Sequence, residues 1–185
     1  MLIEVRFHGR GGQGVVTAAD FLAIAGFKEG YYTLSFPTFG AEKRGSPVAS
    51  FLRISDEPIV VRDEIYNPDY VVVLDPSIFE AVNVTSGLKE SGMLIANYPK
   101  SSEDLKAFLK TNSKVLTINA TKIAMKILGR PTTNTTMVGA FAGATGLFKL
   151  ETLKETAEEF FEGPLKERNV LAIEEAYRYM KEVCR

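Results

Sequence analysis

A run of glycines between a predicted strand and a predicted helix is the feature that most limits which fold the N-terminal segment can adopt. The run lies within His8–Gly14, which reads HGRGGQG. Before it, Leu2 to Phe7 alternates apolar and charged side chains as a strand does, and after it Val15 to Phe27 has apolar side chains at helical spacing. A strand, a glycine-rich turn and a helix are typical of the first unit of an open α/β sheet.

The rest of the chain alternates short apolar runs with helical patterns. Further strands are predicted at Tyr31–Phe36, Val48–Ile54, Pro58–Val61, Tyr70–Leu74, Met93–Asn97 and Val115–Asn119. Further helices are predicted at Ser102–Leu109, Ala120–Leu128, Thr135–Leu147, Glu151–Phe161 and Leu165–Val183. The 185 residues suit one α/β domain over residues 1–185, with an open doubly wound mixed sheet, mostly parallel, and a helical C-terminal third. The segment Val48–Val61 is interpreted as an antiparallel hairpin at one edge of the sheet.

Charge and cysteine content exclude several classes of protein. The chain has 22 basic and 23 acidic residues and a net charge of −1, so we expect neither a nucleic acid nor a membrane as partner. Its one cysteine, Cys184, cannot hold an iron–sulfur cluster, which needs about four thiolates. No apolar run approaches the roughly 20 residues that span a bilayer, and no signal peptide is expected. A cytoplasmic protein is therefore predicted.

The glycine run fits the pattern G-x-G-x-x-G at Gly9, Gly11 and Gly14, which predicts a phosphate site. Glycine has no Cβ, so the backbone turns with positive φ and approaches a phosphate closely, while amides at the helix start point at the anion. A dinucleotide site also needs an acidic residue at the end of the second strand. The segment Leu34–Pro37 contains none, which weakens NAD or FAD binding. The other interpretation is a tight turn that holds no ligand.

A second segment, the loop Pro37–Pro47, is predicted to emerge at the same edge of the sheet as the glycines. It follows the second strand and carries Lys43 and Arg44, which would place positive charge beside a phosphate. The other interpretation of the pair is a solvated charge cluster on a surface turn.

A third segment, Pro131–Met137, leads into a helix rich in glycine and alanine. Asn134 or Thr133 is predicted to cap that helix. The small side chains predict close approach of another backbone, either within the fold or across a subunit interface. No catalytic or metal-binding set is found: the lone histidine, His8, is interpreted as orienting the glycine loop rather than acting as a base.

Three segments carry a family resemblance. They read EVRFHGRGGQGVVTA at Glu4–Ala18, FPTFGAEKRGSPVASFLR at Phe36–Arg53 and ATKIAMKILGRPTTNTTMVGAFAGA at Ala120–Ala144. Together they resemble the gamma subunit, or gamma domain, of the pyruvate and 2-ketoisovalerate ferredoxin oxidoreductases. The order and spacing of the first two segments are more specific than the glycine pattern alone, and the resemblance covers nearly the whole chain.

The resemblance implies a subunit of a larger oxidoreductase that is not catalytic alone. The complex would decarboxylate a 2-oxoacid, with pyruvate as the first candidate, and use coenzyme A to form acetyl-CoA, CO2 and reduced ferredoxin. Alpha, beta and delta-type partner subunits would carry thiamine diphosphate and the iron–sulfur clusters. The gamma subunit would contribute to coenzyme A binding and to assembly.

The resemblance also suggests a coenzyme A site in this chain. A phosphate would be cradled by Gly11, Gly12, Gln13 and Gly14, with charge from Lys43 and Arg44 and a polar contact from Asn134. Two other functions stay open, a purely structural interface subunit and a freestanding dinucleotide-dependent oxidoreductase. Within the family, a 2-ketoisovalerate, indolepyruvate or 2-oxoglutarate enzyme stays open as well.

Overall fold

A computed structural model of the chain describes residues 1–38 and 43–185, so Phe39–Glu42 of the predicted loop lie outside the described residues. The strands are β1 Leu2–Arg10, β2 Tyr32–Pro37, β3 Pro47–Ser55, β4 Tyr70–Val73, β5 Met93–Asn97 and β6 Lys114–Ile118. The helices are α1 Val15–Lys28, α2 Ser102–Leu109, α3 Ala120–Leu128, α4 Asn134–Thr145, α5 Leu150–Phe160 and α6 Pro164–Val183. A short 3-10 helix spans Pro76–Glu80.

The strands form one sheet in the order β2-β3-β1-β4-β5-β6. Parallel pairing joins β1, β4, β5 and β6, whereas β3 pairs antiparallel with both β1 and β2. Among the strands described, β3 alone therefore runs against the others. The predicted fold class, a mostly parallel mixed sheet with an antiparallel pair and a helical C-terminal part, is confirmed.

One predicted strand is wrong. The segment Pro58–Val61 forms no strand and is not the hairpin partner of β3. Both edges of β3 are already hydrogen-bonded, one to β1 and the other to β2. No edge is left for a third neighbour, so this segment stays irregular, with Val60 87% exposed. Of the apolar residues that predicted a strand here, Val60 and Val61 are exposed and Ile59 is half-buried.

The sheet has apolar layers on both faces because successive side chains of a strand point to opposite sides. The larger core lies where α1, α4, α5 and α6 cover one face, and it includes Phe7, Leu52 and Val72. The smaller core lies on the other face, where Val71 meets Leu105 of α2. The helix α4 is buried almost throughout, and none of the described helices is both long and apolar enough to cross a bilayer.

The small residues of α4 face another helix of the same chain. A Cβ added at Gly139 would overlap the carbonyl oxygen of Ile173, and one at Gly143 would overlap that of Tyr177. Both contacts are with α6, so the two backbones pack at the distance that glycine permits. The close approach predicted from the sequence therefore occurs within the fold. The interpretation of this helix as a subunit-contact surface is wrong, because α6 covers it.

Candidate functional site

The glycine loop joins the end of β1 to the start of α1 at the carboxyl edge of the sheet. Gly12 and Gly14 have φ values of +89° and +77°, a region that glycine occupies without strain. A Cβ added at Gly14 would lie 2.5 Å from Nδ2 of Asn134, at the start of α4. The loop and α4 are therefore in direct contact, as predicted for segments that share this edge.

The first turn of α1 has backbone donors that the described chain does not use. No side chain caps the helix, and the first of its amides to meet a carbonyl is that of Ala18, which donates to Gly14 at 3.0 Å. The amides of Val15, Val16 and Thr17 have no acceptor among residues 1–38 and 43–185. Val15, Val16 and Thr17 are among the residues that line a depression of about 340 Å³ beside the glycine loop. A helix N-terminus with free amides attracts an anion.

The second predicted loop packs directly against the glycine loop. The Gly11 amide donates to the Ser46 carbonyl at 2.8 Å, and the Gly45 amide donates to the Gly11 carbonyl at 3.0 Å. A Cβ at Gly11 would overlap the carbonyl oxygen of Lys43, so only glycine fits there. Lys43 and Arg44 are exposed, and the Arg44 side chain lies alongside Gly12. The Arg44 side chain thus borders the loop, and Lys43 contacts it through its carbonyl group.

Asn134 is buried at the start of α4, but it does not cap the helix in the usual way. Its Oδ1 accepts the Thr135 amide at 2.9 Å. The N-cap position belongs to Thr133, whose hydroxyl donates to the Leu74 carbonyl at 3.1 Å instead of capping. The predicted choice between these two residues is therefore resolved in part: Thr133 holds the cap position, and Asn134 binds one first-turn amide.

Two residues that the sequence analysis did not select, Asp75 and Ser77, complete a hydrogen-bonded ring with Arg10 and Gln13. Gln13 Nε2 donates to Asp75 Oδ2, and the Ser77 amide donates to Asp75 Oδ1 at 2.8 Å. Burial raises the pKa of Asp75, but hydrogen bonds from Gln13 and Ser77 outweigh it, so the pKa lies below its ordinary value. Asp75 directly follows β4, and that position was the available sequence signal.

A second depression, of about 310 Å³, lies on the far side of Gln13 and was also missed. Its wall includes Asn97, the last residue of β5. Asn97 Nδ2 donates to the Leu74 carbonyl and to Thr121 Oγ1, both at 2.9 Å. These groups are hydrogen-bonded to one another, and they form the part of the sheet edge that lies next to the glycine loop.

The sequence matches the family described as Pyruvate ferredoxin/flavodoxin oxidoreductase over residues 4–179. The chain belongs to this family. The common gamma subunit of the pyruvate/ketoisovalerate oxidoreductases of Thermococcus kodakarensis is 54% identical over 177 residues, 95% of this chain and 96% of that protein. The pyruvate oxidoreductase subunit PORC of Thermotoga maritima has a solved structure with a TM-score of 0.85 and 34% identity, which covers 96% of each chain.

A more distant structure shares the fold of this family member. It is the 2-oxoglutarate:ferredoxin oxidoreductase of Magnetococcus marinus, with 2-oxoglutarate, coenzyme A and succinyl-CoA bound. The likeness has a TM-score of 0.78 at 20% identity and covers 98% of this chain but 31% of that one. The relatives in Thermococcus and Thermotoga are named as subunits of oxidoreductases.

The sheet order of this family member argues against a dinucleotide site. In a dinucleotide-binding sheet, the strand after the first helix lies beside β1 and ends in the acid that binds the ribose. Here β3 lies between β1 and β2. The end of β2 is therefore one strand too far from the glycine loop, and its last residues, Phe36 and Pro37, carry no acid.

Metal ligands were not predicted for this chain. In the described ranges, no group of three or more histidine, cysteine, aspartate or glutamate side chains is placed to hold a metal ion. His8, interpreted as orienting the loop, lies instead within β1, where its Nε2 accepts from Arg6 Nε at 3.0 Å.

Proposed function

We propose that the chain is the gamma subunit of a multisubunit 2-oxoacid:ferredoxin oxidoreductase, with pyruvate as the first candidate substrate, and that it contributes to coenzyme A binding. The observation that carries the coenzyme A role is the first turn of α1. Its amides at Val15, Val16 and Thr17 find no acceptor in the described chain, and these three residues line a depression beside the glycine loop. Such a turn is suited to a phosphate.

The residues around this turn fit the phosphates of coenzyme A. Gly11, Gly12 and Gly14 allow the backbone to approach an anion. The Arg44 side chain lies alongside Gly12, and Lys43, the residue before Arg44, is exposed. A guanidinium and an ammonium group form strong hydrogen bonds with phosphate oxygens. Asn134, in contact with Gly14, would add a polar group. Coenzyme A needs no ribose acid of the kind that NAD requires, which agrees with a β2 end without a carboxylate.

The remaining chemistry is assigned to partners. Thiamine diphosphate and the iron–sulfur clusters would be bound by alpha, beta and delta-type subunits, and ferredoxin would accept the electrons of the complex. The single cysteine of this chain, Cys184, supports that division of roles. We propose that residues 1–185 act as one gamma-type domain within the assembly.

Substitution of the two cationic side chains tests this function in the assembled complex. Lys43→Ala and Arg44→Ala should each raise KM for coenzyme A about tenfold, since each removes a charged contact to phosphate. Formation of the complex and decarboxylation up to the hydroxyethyl intermediate should stay unchanged, because both steps precede coenzyme A. Steady-state kinetics against coenzyme A concentration and analytical gel filtration measure these effects.

The control for this test is Lys106→Ala, which removes an exposed cation on α2. It should leave KM for coenzyme A as it is. If Lys43→Ala and Arg44→Ala both behave like this control, the coenzyme A role is refuted and a purely structural subunit becomes the better hypothesis.

A further inference from the structure

Four residues from two segments form a closed ring of hydrogen bonds at the base of the glycine loop. The Arg10 amide donates to Gln13 Oε1 at 2.8 Å, and Gln13 Nε2 donates to Asp75 Oδ2. The Ser77 amide donates to Asp75 Oδ1 at 2.8 Å, and Arg10 Nε donates to Ser77 Oγ at 2.6 Å, which closes the ring. The Gln13 amide also donates to the Arg10 carbonyl at 3.1 Å.

The ring leaves the Gln13 side chain one orientation. Its carbonyl oxygen must face the Arg10 amide, and its nitrogen must face the carboxylate of Asp75, because a reversed amide would set donor against donor and acceptor against acceptor. Both ends of the side chain are therefore engaged with protein. The side chain of Gln13, a residue predicted to help cradle a phosphate, therefore holds the loop.

The same ring extends to the second loop. Arg10 Nη1 donates to the Gly45 carbonyl at 3.0 Å, and Arg10 Nη2 donates to the Ser77 carbonyl at 3.3 Å. Gly45 and Ser46 are in turn bonded to Gly11. One carboxylate after β4 is thus connected to the glycine loop and to the Lys43–Ser46 turn.

We infer that Asp75 is a positioning residue: acting through Gln13 and Ser77, it sets the conformation of the glycine loop and, through Arg10, its spacing from the Lys43–Ser46 turn. The inference rests on the proposed function in that the positioned loop would bind coenzyme A. A carboxylate is needed at this position because it accepts two hydrogen bonds, from Gln13 and from the Ser77 amide, on two oxygens. An asparagine side chain has only one acceptor oxygen, so its NH2 group would face the second of these two donors.

A reciprocal exchange of carboxylate and amide tests the inference in the assembled complex. Asp75→Asn presents an NH2 group to one of the two donors, and Gln13→Glu sets two carboxylates against each other. The double variant restores every pairing, because the amide at position 75 donates to the carboxylate at position 13 and still accepts the Ser77 amide. Two properties are measured: KM for coenzyme A, and amide hydrogen exchange of residues 10–17 and 43–46.

We expect each single variant to raise KM for coenzyme A about tenfold, because a hydrogen bond to a charged group is lost. Exchange of both loop segments should become faster, and kcat at saturating coenzyme A should change much less. The double variant should return KM to within about twofold of the parent, as coupled partners do in a double-mutant cycle. Asp20→Asn is the matched control, since Asp20 lies within α1, outside the ring, and accepts from Ser35 Oγ at 2.6 Å; it should change neither property.

The outcomes separate the inference from the proposed function. Unchanged exchange in both single variants would overturn the positioning role, and so would effects that the double variant fails to reverse. If exchange responds and is rescued while KM for coenzyme A stays constant, the positioning role is upheld and coenzyme A binding at this loop is refuted. If Lys43→Ala and Arg44→Ala raise KM while the ring variants change neither KM nor hydrogen exchange, the function stands and the inference falls.

Discussion

At the scale of single residues, Arg6 and His8 form a buried, hydrogen-bonded pair on β1. The Arg6 guanidinium donates to the carbonyls of Val84 at 3.0 Å and Ser86 at 2.6 Å, and its Nε donates to His8. Burial and the nearby Arg6 charge lower the pKa of His8 from 6.5 to about 3. The imidazole is therefore neutral at pH 7 and acts as an acceptor for Arg6. The Arg6 guanidinium in turn connects β1 to the segment before β5.

This shift predicts a loss of stability in acid. Between pH 3 and 6.5 the unfolded chain protonates His8 and the folded chain does not, so the free energy of unfolding falls as pH falls through this window. The His8 contribution should be about 1.4 kcal/mol per pH unit. Urea unfolding from pH 4 to 7 should show a shallower pH dependence for His8→Gln, whose amide oxygen still accepts from Arg6 but does not titrate. Equal slopes for parent and variant would contradict the lowered pKa.

At the scale of secondary-structure elements, the contact between α4 and α6 organises the larger core. Gly139 and Gly143 are four residues apart on α4, and Ile173 and Tyr177 are four residues apart on α6. The two pairs meet backbone to backbone, and each glycine lacks the space for a Cβ. Four-residue spacing places such residues on one helix face, so the contact forms a continuous seam. α4 in turn carries Asn134 to the glycine loop.

The seam predicts that replacing one of its glycines by alanine lowers the stability of the protein, although the same substitution usually stabilises a helix. Gly→Ala inside a helix ordinarily raises stability by up to about 1 kcal/mol through helix propensity. Gly139→Ala should instead lower the free energy of unfolding by about 1–3 kcal/mol, because the new methyl overlaps the Ile173 backbone. Urea denaturation followed by circular dichroism measures the difference. A variant as stable as the parent would mean that α6 moves away without cost.

At the scale of the whole molecule, the sheet order separates this chain from a dinucleotide enzyme. The insertion of β3 beside β1 brings the Lys43–Ser46 turn, rather than the end of β2, to the glycine loop. The edge of the sheet therefore has cationic side chains where a dinucleotide fold has an acid. Under the proposed function, this positive charge would meet the phosphates of coenzyme A, which needs no carboxylate to bind its ribose.

The division of roles between subunits predicts what purification will yield. Purified alone, the chain should contain no iron and should not oxidise a 2-oxoacid, since it has one cysteine. Isolated anaerobically from its native cells, it should come with stoichiometric partners that carry thiamine diphosphate and iron–sulfur clusters. Mass spectrometry, metal analysis and assays with a panel of 2-oxoacids measure this and name the substrate. Isolation of the chain without partners, under conditions that preserve such complexes, would contradict the subunit role.

The elements and the glycine loop could be predicted because their causes are local. Helix α2 begins where Ser101 and Asp104 cap each other's backbone, a pattern visible in four consecutive residues. The positive φ of Gly12 and Gly14 follows from a turn that few other residues tolerate. The meeting of Gly11 and Ser46 at one edge also followed, because the loops after β1 and β2, which run in the same direction, emerge on the same side of the sheet.

What the sequence by itself determined was the order and type of the elements, since periodicity and turn chemistry act between neighbours along the chain. Only the tertiary structure decided that β3 inserts between β1 and β2, which removes the predicted strand at Pro58–Val61. The same holds for the ring that engages Gln13 with Asp75 and for the partner of α4. Each of these depends on which distant segments become neighbours, and that choice is made by the packing of the whole sheet, because backbone edges and buried polar groups must all find partners at once.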